Sequence, residues 1–209
     1  MGQAGYPVPT GPAEVELRFR NSRFIGAALP ADTVEAARAA VQARRQLYPD
    51  ASHHVFAFAV GHGATVTHGM SDDGEPSGTA GRPVLAVVQG SGMGDLVVVV
   101  TRYFGGTKLG TGGLVRAYTA AAQAALQAVV TETKTVRVVA ALRLPYDCFE
   151  PCRLALRKLG AEVLEESFGA EVVLRVLVEA TRLDELRERI RDMTSGRVSV
   201  AVEGAGPDH

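Results

Sequence analysis

The chain has 209 residues, of which 46% are hydrophobic and 22% are charged, and its net charge is −1. This length allows one large or two small domains, and the composition is typical of a globular protein. Residues 1–135 carry a net charge of +1 and residues 136–209 a net charge of −2. This balance excludes a domain that binds nucleic acid through bulk positive charge, so any RNA contact must come from a local patch.

The sequence contains no segment that would carry it into a membrane. No N-terminal stretch has the basic-then-apolar layout of a signal peptide, and no apolar run approaches the length of a membrane span. Cys148 and Cys152 form no standard zinc set with a nearby histidine, so we expect reduced thiols that pack like small hydrophobic side chains. We therefore expect a cytoplasmic protein with no membrane partner and no cofactor.

The N-terminal residues predict a tail followed by a hairpin. Residues 1–13 are rich in Gly and Pro and predict a flexible tail. Alternating apolar and polar residues predict a strand over 14–20. A turn at 21–22 then leads into a second predicted strand over 23–29.

A helix and two strands are predicted next. Asp32 is a candidate N-cap, and Glu35 three positions later would complete a capping box for a helix over 34–47. The run HHVFAFAV predicts a strand over 53–60, and its partner strand is expected over 64–70.

Two adjacent histidines open the strand at 53–60. Successive side chains of a strand point to opposite faces, so His53 and His54 cannot both reach one site. His54 shares its face with the bulky side chains of the strand, which is the expected core face. His53 is therefore the better candidate for a site, although a hydrogen-bonded structural histidine remains the alternative.

A polar loop with three glycines and a proline is predicted over 71–82. Its candidate site residues are Asp72, Asp73, Glu75, Ser77 and Arg82. Carboxylate oxygens suit Mg²⁺, so a magnesium site is one interpretation. The spacing matches no EF-hand pattern, and we favour a metal-free turn that caps a helix over 83–89.

The stretch from 96 to 130 combines a strand, a Gly-rich loop and a helix. The apolar run LVVVV predicts a buried strand at 96–100, and the Ala-rich run at 114–130 predicts a helix. The candidate anion-binding residues are Arg102, Gly105, Gly106, Lys108, Gly110, Gly112, Gly113 and Arg116. Free N–H groups at a helix start and nearby cations favour a negative ligand. A structural turn is the alternative, because neither a Walker A nor a Rossmann pattern is present.

Residues 136–203 have the β-α-β-β-α-β order of a ferredoxin-like domain, after a polar connector at 131–134. Its predicted elements are strands at 136–144, 161–168, 170–180 and 197–203 and helices at 149–159 and 183–193. The strands at 136–144 and 170–180 contain no aromatic residue. Base stacking on this sheet, as in an RRM, is therefore not expected.

Four segments together resemble the YigZ/IMPACT family. They are SRFIG at 22–26, YPDASHHVFAF at 48–58, SDDGEPSGTAGRPVL at 71–85 and VVVVTRYFGGTKLGTGGLVRAYTAAA at 97–122. The resemblance implies an α+β protein with two domains. Residues 14–133 would resemble domain 2 of ribosomal protein S5 and the matching domain of elongation factor G. Residues 136–203 would be similar to a ferredoxin-like domain of translational GTPases.

The resemblance favours a non-enzymatic regulator associated with translation. Eukaryotic members of the family act on translation through a protein partner, and the family implies no catalytic residues for this chain. The expected partner is the ribosome, RNA or a translation-related protein. The basic Gly-rich loop would contact RNA phosphate or an acidic protein surface.

The alternative hypothesis is an enzyme that acts on a phosphorylated or nucleotide substrate. Phosphate would lie at the helix start near Gly112, Asp72 or Asp73 would hold Mg²⁺, and His53 would act as a base. The enzyme hypothesis draws on residues of both polar loops. The short connection between them predicts that residues 71–82 and 102–113 meet on one face.

Overall fold

The computed structural model describes residues 5–63 and 66–203. Contacts divide these residues into two compact units, Tyr6–Lys134 and a second unit that begins at Thr135. Each unit has its own hydrophobic core. Within the described ranges, none of the helices combines the length and the apolar character needed to cross a bilayer.

The N-terminal unit contains seven strands and three helices among its described residues. The strands are β1 Tyr6–Pro9, β2 Ala13–Phe19, β3 Ser22–Pro30, β4 His53–Val60, β5 Thr67–Ser71, β6 Leu96–Tyr103 and β7 Thr131–Lys134. The helices are α1 Val34–Leu47, α2 Gly81–Gly90 and α3 Thr111–Ala128. Five strands form one antiparallel sheet in the order β2-β3-β6-β4-β5. The partner strand expected at 64–70 begins at Thr67, and residues 64 and 65 lie outside the described ranges.

Helices cover both faces of this sheet, which explains why β6 is an almost unbroken apolar run. Helices α2 and α3 pack on one face around Val55 and Tyr118, and α1 packs on the other around Phe58 and Val99. The bulky face of β4 was the expected core face, but both faces of the strand are buried. Val55, on the other face of β4, is fully buried.

Helix α1 spans the residues predicted for it, but a different residue caps it. Thr33 is the N-cap, and its hydroxyl accepts a hydrogen bond from the Ala36 N–H at 3.0 Å. Its extended backbone, with φ −134° and ψ 158°, directs the hydroxyl at the first turn. The predicted capping box of Asp32 and Glu35 is therefore wrong.

The helices that flank the two polar loops begin earlier than predicted. Helix α2 begins at Gly81 rather than residue 83, and α3 begins at Thr111 rather than residue 114. Gly112 and Gly113 therefore belong to the first turn of α3 and not to the loop before it. Gly110 is the N-cap, with φ +72°, a backbone conformation that glycine adopts without strain.

Strands β1 and β7, which were predicted to be irregular segments, form a two-stranded sheet. Strand β1 lies antiparallel to β7, with Tyr6 opposite Lys134. The flexible tail predicted for residues 1–13 and the connector predicted for 131–134 are therefore wrong for these residues. Buried Asp95 supports the pair, because its carboxylate accepts from the Tyr6 hydroxyl at 2.8 Å and from Lys134 Nζ at 2.6 Å.

The C-terminal unit has the ferredoxin-like order that the sequence predicts. Its strands are β8 Arg137–Leu144, β9 Glu162–Phe168, β10 Val172–Glu179 and β11 Val200–Val202, and its helices are α4 Tyr146–Lys158 and α5 Leu183–Met193. The strands form an antiparallel sheet in the order β11-β8-β10-β9. Residues of β8, β10 and both helices share one core, which includes Leu174 and Ile190. Cys148 and Cys152 are free buried thiols on α4, as expected.

Candidate functional site

The two polar loops singled out in the sequence meet at one end of the N-terminal unit. The first joins β5 to α2, and the second joins β6 to α3. Glu75 of the first loop forms an ion pair with Arg102 near the end of β6, with 2.6 Å between Oε1 and Nη1. The expectation that the loops lie on one face is confirmed.

Glu75 is the centre of a buried polar cluster. Its Oε1 also accepts a hydrogen bond from the Tyr118 hydroxyl at 2.7 Å, and Nε2 of His53 lies 3.9 Å away. Burial and the neighbouring carboxylate raise the pKa of Tyr118, so its hydroxyl stays protonated and can donate. Arg102 and Tyr118 thus supply the donors without which a buried carboxylate would be costly.

The side chain of Arg102, near the end of β6, is buried. Only 6% of its side chain is exposed, and its guanidinium lies 5.5 Å from the ring centre of Phe24 and 5.4 Å from that of Phe104. Its Nε is buried and has no acceptor among the described residues. The sequence makes Arg102 a candidate anion-binding residue. In the structure its charge is compensated by Glu75 instead.

Asp72 organises the first loop and the start of α2. Its carboxylate accepts hydrogen bonds from the backbone N–H groups of Gly78, Ala80 and Gly81, at 2.9, 3.1 and 2.7 Å. Burial alone would raise the pKa of Asp72, but these N–H groups outweigh it and the pKa is lowered. Asp72 therefore caps the start of α2 from the preceding loop, as the metal-free interpretation predicts, although the N-cap residue itself is Ala80. Within 5–63 and 66–203, no group of three or more metal-binding side chains is placed to hold an ion.

Asp73 connects the first loop to β4 and α1. Its carboxylate accepts from Arg45 and, at 2.6 Å, from the backbone N–H of His54. Burial opposes ionisation of Asp73, but these donors lower its pKa overall. Its backbone carbonyl lies 2.8 Å from Nδ1 of His53. Both carboxylates that the enzyme hypothesis assigns to Mg²⁺ are thus engaged by protein donors.

The two histidines lie on opposite faces of the sheet, as predicted. His53 is partly exposed beside Glu75 and Asp73. His54 is buried, with Nδ1 3.2 Å from the hydroxyl oxygen of Thr101. Burial, followed by the nearby Arg45, lowers the pKa of His54. The structure therefore brings His53, and not His54, to the Glu75 cluster.

The Gly-rich loop is fixed against the β2–β3 turn. The N–H of Gly105 donates to the buried hydroxyl of Ser22 at 3.2 Å. A Cβ at Gly105 would overlap the backbone carbonyl of Asn21, so only glycine allows this approach. Phe104 is held as well, because its N–H donates to the Ser52 hydroxyl at 3.2 Å.

A cleft of about 350 Å³ opens between the two loops and the first turn of α3. Its lining includes Glu75, Arg102, Phe104, Lys108, Gly110 and Thr111. The first turn of α3 has no side-chain cap and no acidic residue. Its N–H groups and the positive end of the helix dipole therefore remain available to an anion.

Basic side chains around the two loops are exposed, whereas the carboxylates of the loops themselves are engaged by protein donors. Exposed basic side chains are carried by Arg20, Arg82, Lys108 and Arg116. In the described part of the unit, none of the four forms an ion pair with a carboxylate. Arg20 donates to the backbone carbonyl of Lys108 at 3.0 Å, which places it beside the loop. Ser77 is exposed on the first loop, and Gly106 is exposed on the second.

Several residues of the site were not singled out by the sequence. Tyr118 is an aromatic residue in the Ala-rich helix α3, and Ser22 is the first residue of β3. Phe104 lies inside the RYFGG segment, yet 49% of it is exposed to solvent. A polar hydroxyl in an Ala-rich run was a usable signal for Tyr118, but nothing local indicates that Ser22 faces Arg102.

Comparisons with known proteins match both halves of the chain. The Impact N-terminal domain matches residues 20–126, and a domain of unknown function (DUF1949) matches residues 142–197. A crystal structure described as that of a hypothetical protein is 35% identical, with a TM-score of 0.74, and the match covers 98% of this chain and 100% of that one.

Bacterial relatives match over nearly the whole length. The chain is 37% identical to the IMPACT family member YigZ of Escherichia coli, over 92% of this chain and 95% of the relative. It is 35% identical to an IMPACT family member of Haemophilus influenzae, over 94% of this chain and 96% of the relative. Both polar loops fall inside the matched N-terminal domain. The chain therefore belongs to the IMPACT family.

Proposed function

We propose that this protein is a non-enzymatic, cytoplasmic, translation-associated factor that binds RNA phosphate at the cleft beside Lys108. One observation carries the proposal. Each carboxylate of the two loops is engaged by protein donors, whereas the four basic side chains around them are exposed and unpaired among the described residues. The field at this end is therefore positive although the chain as a whole is not.

The start of α3 adds a geometric element to this charge. Uncapped N–H groups at a helix N-terminus suit phosphate oxygens, and Lys108 lines the same cleft. The family resemblance supports translation as the setting, because eukaryotic members regulate it. The names of the bacterial relatives give the family alone.

Co-sedimentation with ribosomes at low and high salt tests the proposal. The informative variant is Lys108→Ala/Arg116→Ala, because both side chains are exposed and neither supports the fold. We expect weaker association and a shallower salt dependence, by about 0.7–0.9 in the logarithmic slope for each phosphate that the variant no longer neutralises. Arg102→Ala is unsuitable, because it would leave Glu75 buried without its ion pair.

A matched control removes two exposed positive charges elsewhere. Arg157 and Lys158 are exposed at the end of α4, and neither forms an ion pair within the described residues. Arg157→Ala/Lys158→Ala should sediment as the wild type does. Equal association of both double variants at every salt concentration would contradict the proposal.

The enzyme hypothesis remains as a second candidate because an imidazole lies beside the buried carboxylate. His53 Nε2 is 3.9 Å from Glu75 Oε1, and a quarter of the His53 side chain is exposed. A thermal-shift screen with nucleotides and Mg²⁺ discriminates, since a ligand that binds only the native state raises Tm. A shift with a nucleotide that His53→Gln does not abolish would indicate binding without a role for that histidine.

A further inference from the structure

Phe104 is a large aromatic side chain that the fold leaves exposed. It stands at the mouth of the cleft, with 49% of its surface accessible. Two hydrogen bonds fix the backbone here. The N–H of Phe104 donates to the Ser52 hydroxyl, and the N–H of Gly105 donates to the Ser22 hydroxyl. The ring is thus presented from a fixed backbone rather than from a loose loop.

Arg102 makes a cation–π contact with the Phe104 ring. The guanidinium lies 5.4 Å from the centre of the Phe104 ring, within cation–π distance. Its buried Nε lacks an acceptor among the described residues, although Arg102 lines the cleft. A buried donor without a partner costs free energy, so the position of Arg102 beneath the ring is maintained by its other contacts, with Glu75 and the two aromatic rings.

The cleft therefore combines an aromatic surface with a site for an anion. Phe104 offers an exposed aromatic surface, while Lys108 and the uncapped start of α3 offer a site for phosphate. A volume of about 350 Å³ is at the lower end of ligand pockets, about 300–1,000 Å³, and suits a single nucleotide. Bases inside a duplex are stacked on one another, so only an unpaired base can stack on a protein ring.

We propose that this cleft binds single-stranded RNA by stacking one base on Phe104 while an adjacent phosphate lies against Lys108 and the first turn of α3. The inference rests on the proposed function and adds that the RNA is unpaired at the contact. Stacking on an aromatic ring is tolerant of sequence, because every base has a π-face. The contact therefore selects for strandedness rather than for a particular base.

The absence of tryptophan from the chain allows a direct test. Phe104→Trp places a single fluorophore at the proposed stacking position. Its emission should be quenched by a single-stranded RNA oligonucleotide and unchanged by the same sequence in a duplex. Phe168→Trp is the matched control, since Phe168 is 60% exposed on β9 of the other unit and its emission should not respond.

Affinity measured by anisotropy of a labelled single strand completes the test. Phe104→Ala should weaken binding roughly 5- to 150-fold, the range for one stacked base. Phe104→Tyr should bind as the wild type does. If the single strand binds, loses affinity in Lys108→Ala, and yet neither quenches Phe104→Trp nor weakens with Phe104→Ala, stacking is refuted and the proposed function stands. If no RNA binds the wild type, both fail.

Discussion

Arg102 and Glu75 form an ion pair in which only 6% and 3% of the two side chains remain exposed. The pair joins the end of β6 to the loop before α2, and the Tyr118 hydroxyl adds a donor from α3. Three separate parts of the chain therefore meet at one carboxylate. The arrangement explains why a loop rich in charge can be fixed in position beneath the cleft.

Removing one member of this pair should be strongly destabilising. We expect Arg102→Ala to lower the free energy of unfolding by about 3–5 kcal/mol, because it leaves a buried carboxylate without its cation. Unfolding of wild type and variant by guanidinium chloride measures the loss of stability. Lys108→Ala, at an exposed site in the loop that follows β6, should change stability by less than about 0.5 kcal/mol.

A double variant separates the loss of the pair from the loss of packing. Arg102→Met/Glu75→Gln removes both charges but keeps an acceptor for Tyr118, so it should be more stable than Arg102→Met alone. Equal stability of the two variants would show that the charge on Glu75 is not what Arg102 offsets.

The capping role of Asp72 predicts a measurable cost at a single carboxylate. Asp72→Ala leaves three backbone N–H groups, in the loop and at the start of α2, without their acceptor. We expect a loss of about 1–2 kcal/mol in the free energy of unfolding. Asp32→Ala is the control, because Asp32 is exposed and Thr33 provides the cap of α1. Similar losses in the two variants would contradict this account.

His54 should make the protein less stable as the pH falls below neutrality. Its folded pKa is lowered by burial, so the unfolded chain binds the proton more tightly than the folded chain does. The contribution of His54 to stability is therefore constant above about pH 6.5, the unfolded value, and declines as the pH falls towards the folded pKa. Chemical denaturation between neutral and mildly acidic pH measures this slope.

The contribution of His54 can be isolated by substitution. His54→Gln should flatten the decline below about pH 6.5, since it removes the titrating group. His68→Gln, on an exposed position of β5, controls for the loss of an imidazole and should keep the slope. An unchanged slope in His54→Gln would assign the decline to other groups.

The Tyr6 hydroxyl should stabilise the N-terminal unit through Asp95. Tyr6→Phe removes a hydrogen bond to a buried carboxylate, for which we expect a loss of about 1.5–3 kcal/mol. Tyr48→Phe removes a similar bond, from the Tyr48 hydroxyl to Glu14, at an exposed position and should cost less. Thermal unfolding of the two variants under identical conditions compares these costs.

Periodicity predicted the regular elements well where local pattern decides them. Helix α1 and strand β4 have the bounds expected from their repeats, and the ferredoxin-like order of the C-terminal unit follows from its elements alone. Residues 6–9 were missed because their partner strand lies more than a hundred positions away. Pairing over such a separation leaves no local signal in a segment rich in proline.

The sequence predicted many of the site residues but not what each side chain does there. The motif residues of both loops were identified, and the short connection between the loops placed them together. The roles of individual side chains could not be predicted, because the surroundings of Arg102 include Phe24 and Ser22 of β3, which are distant in the sequence. Asp32 and Thr33 are both good N-cap residues, and only backbone geometry distinguishes them.

The pairing of β1 with β7 also constrains how the protein is made. During synthesis the first strand emerges early, but its partner at Thr131–Lys134 leaves the ribosome only after almost the whole unit has been translated. Until then β1 has no strand to pair with, and Asp95 lacks the ammonium group of Lys134. Closure of the N-terminal unit is therefore a late event in translation, completed by the last strand before the chain enters its second unit.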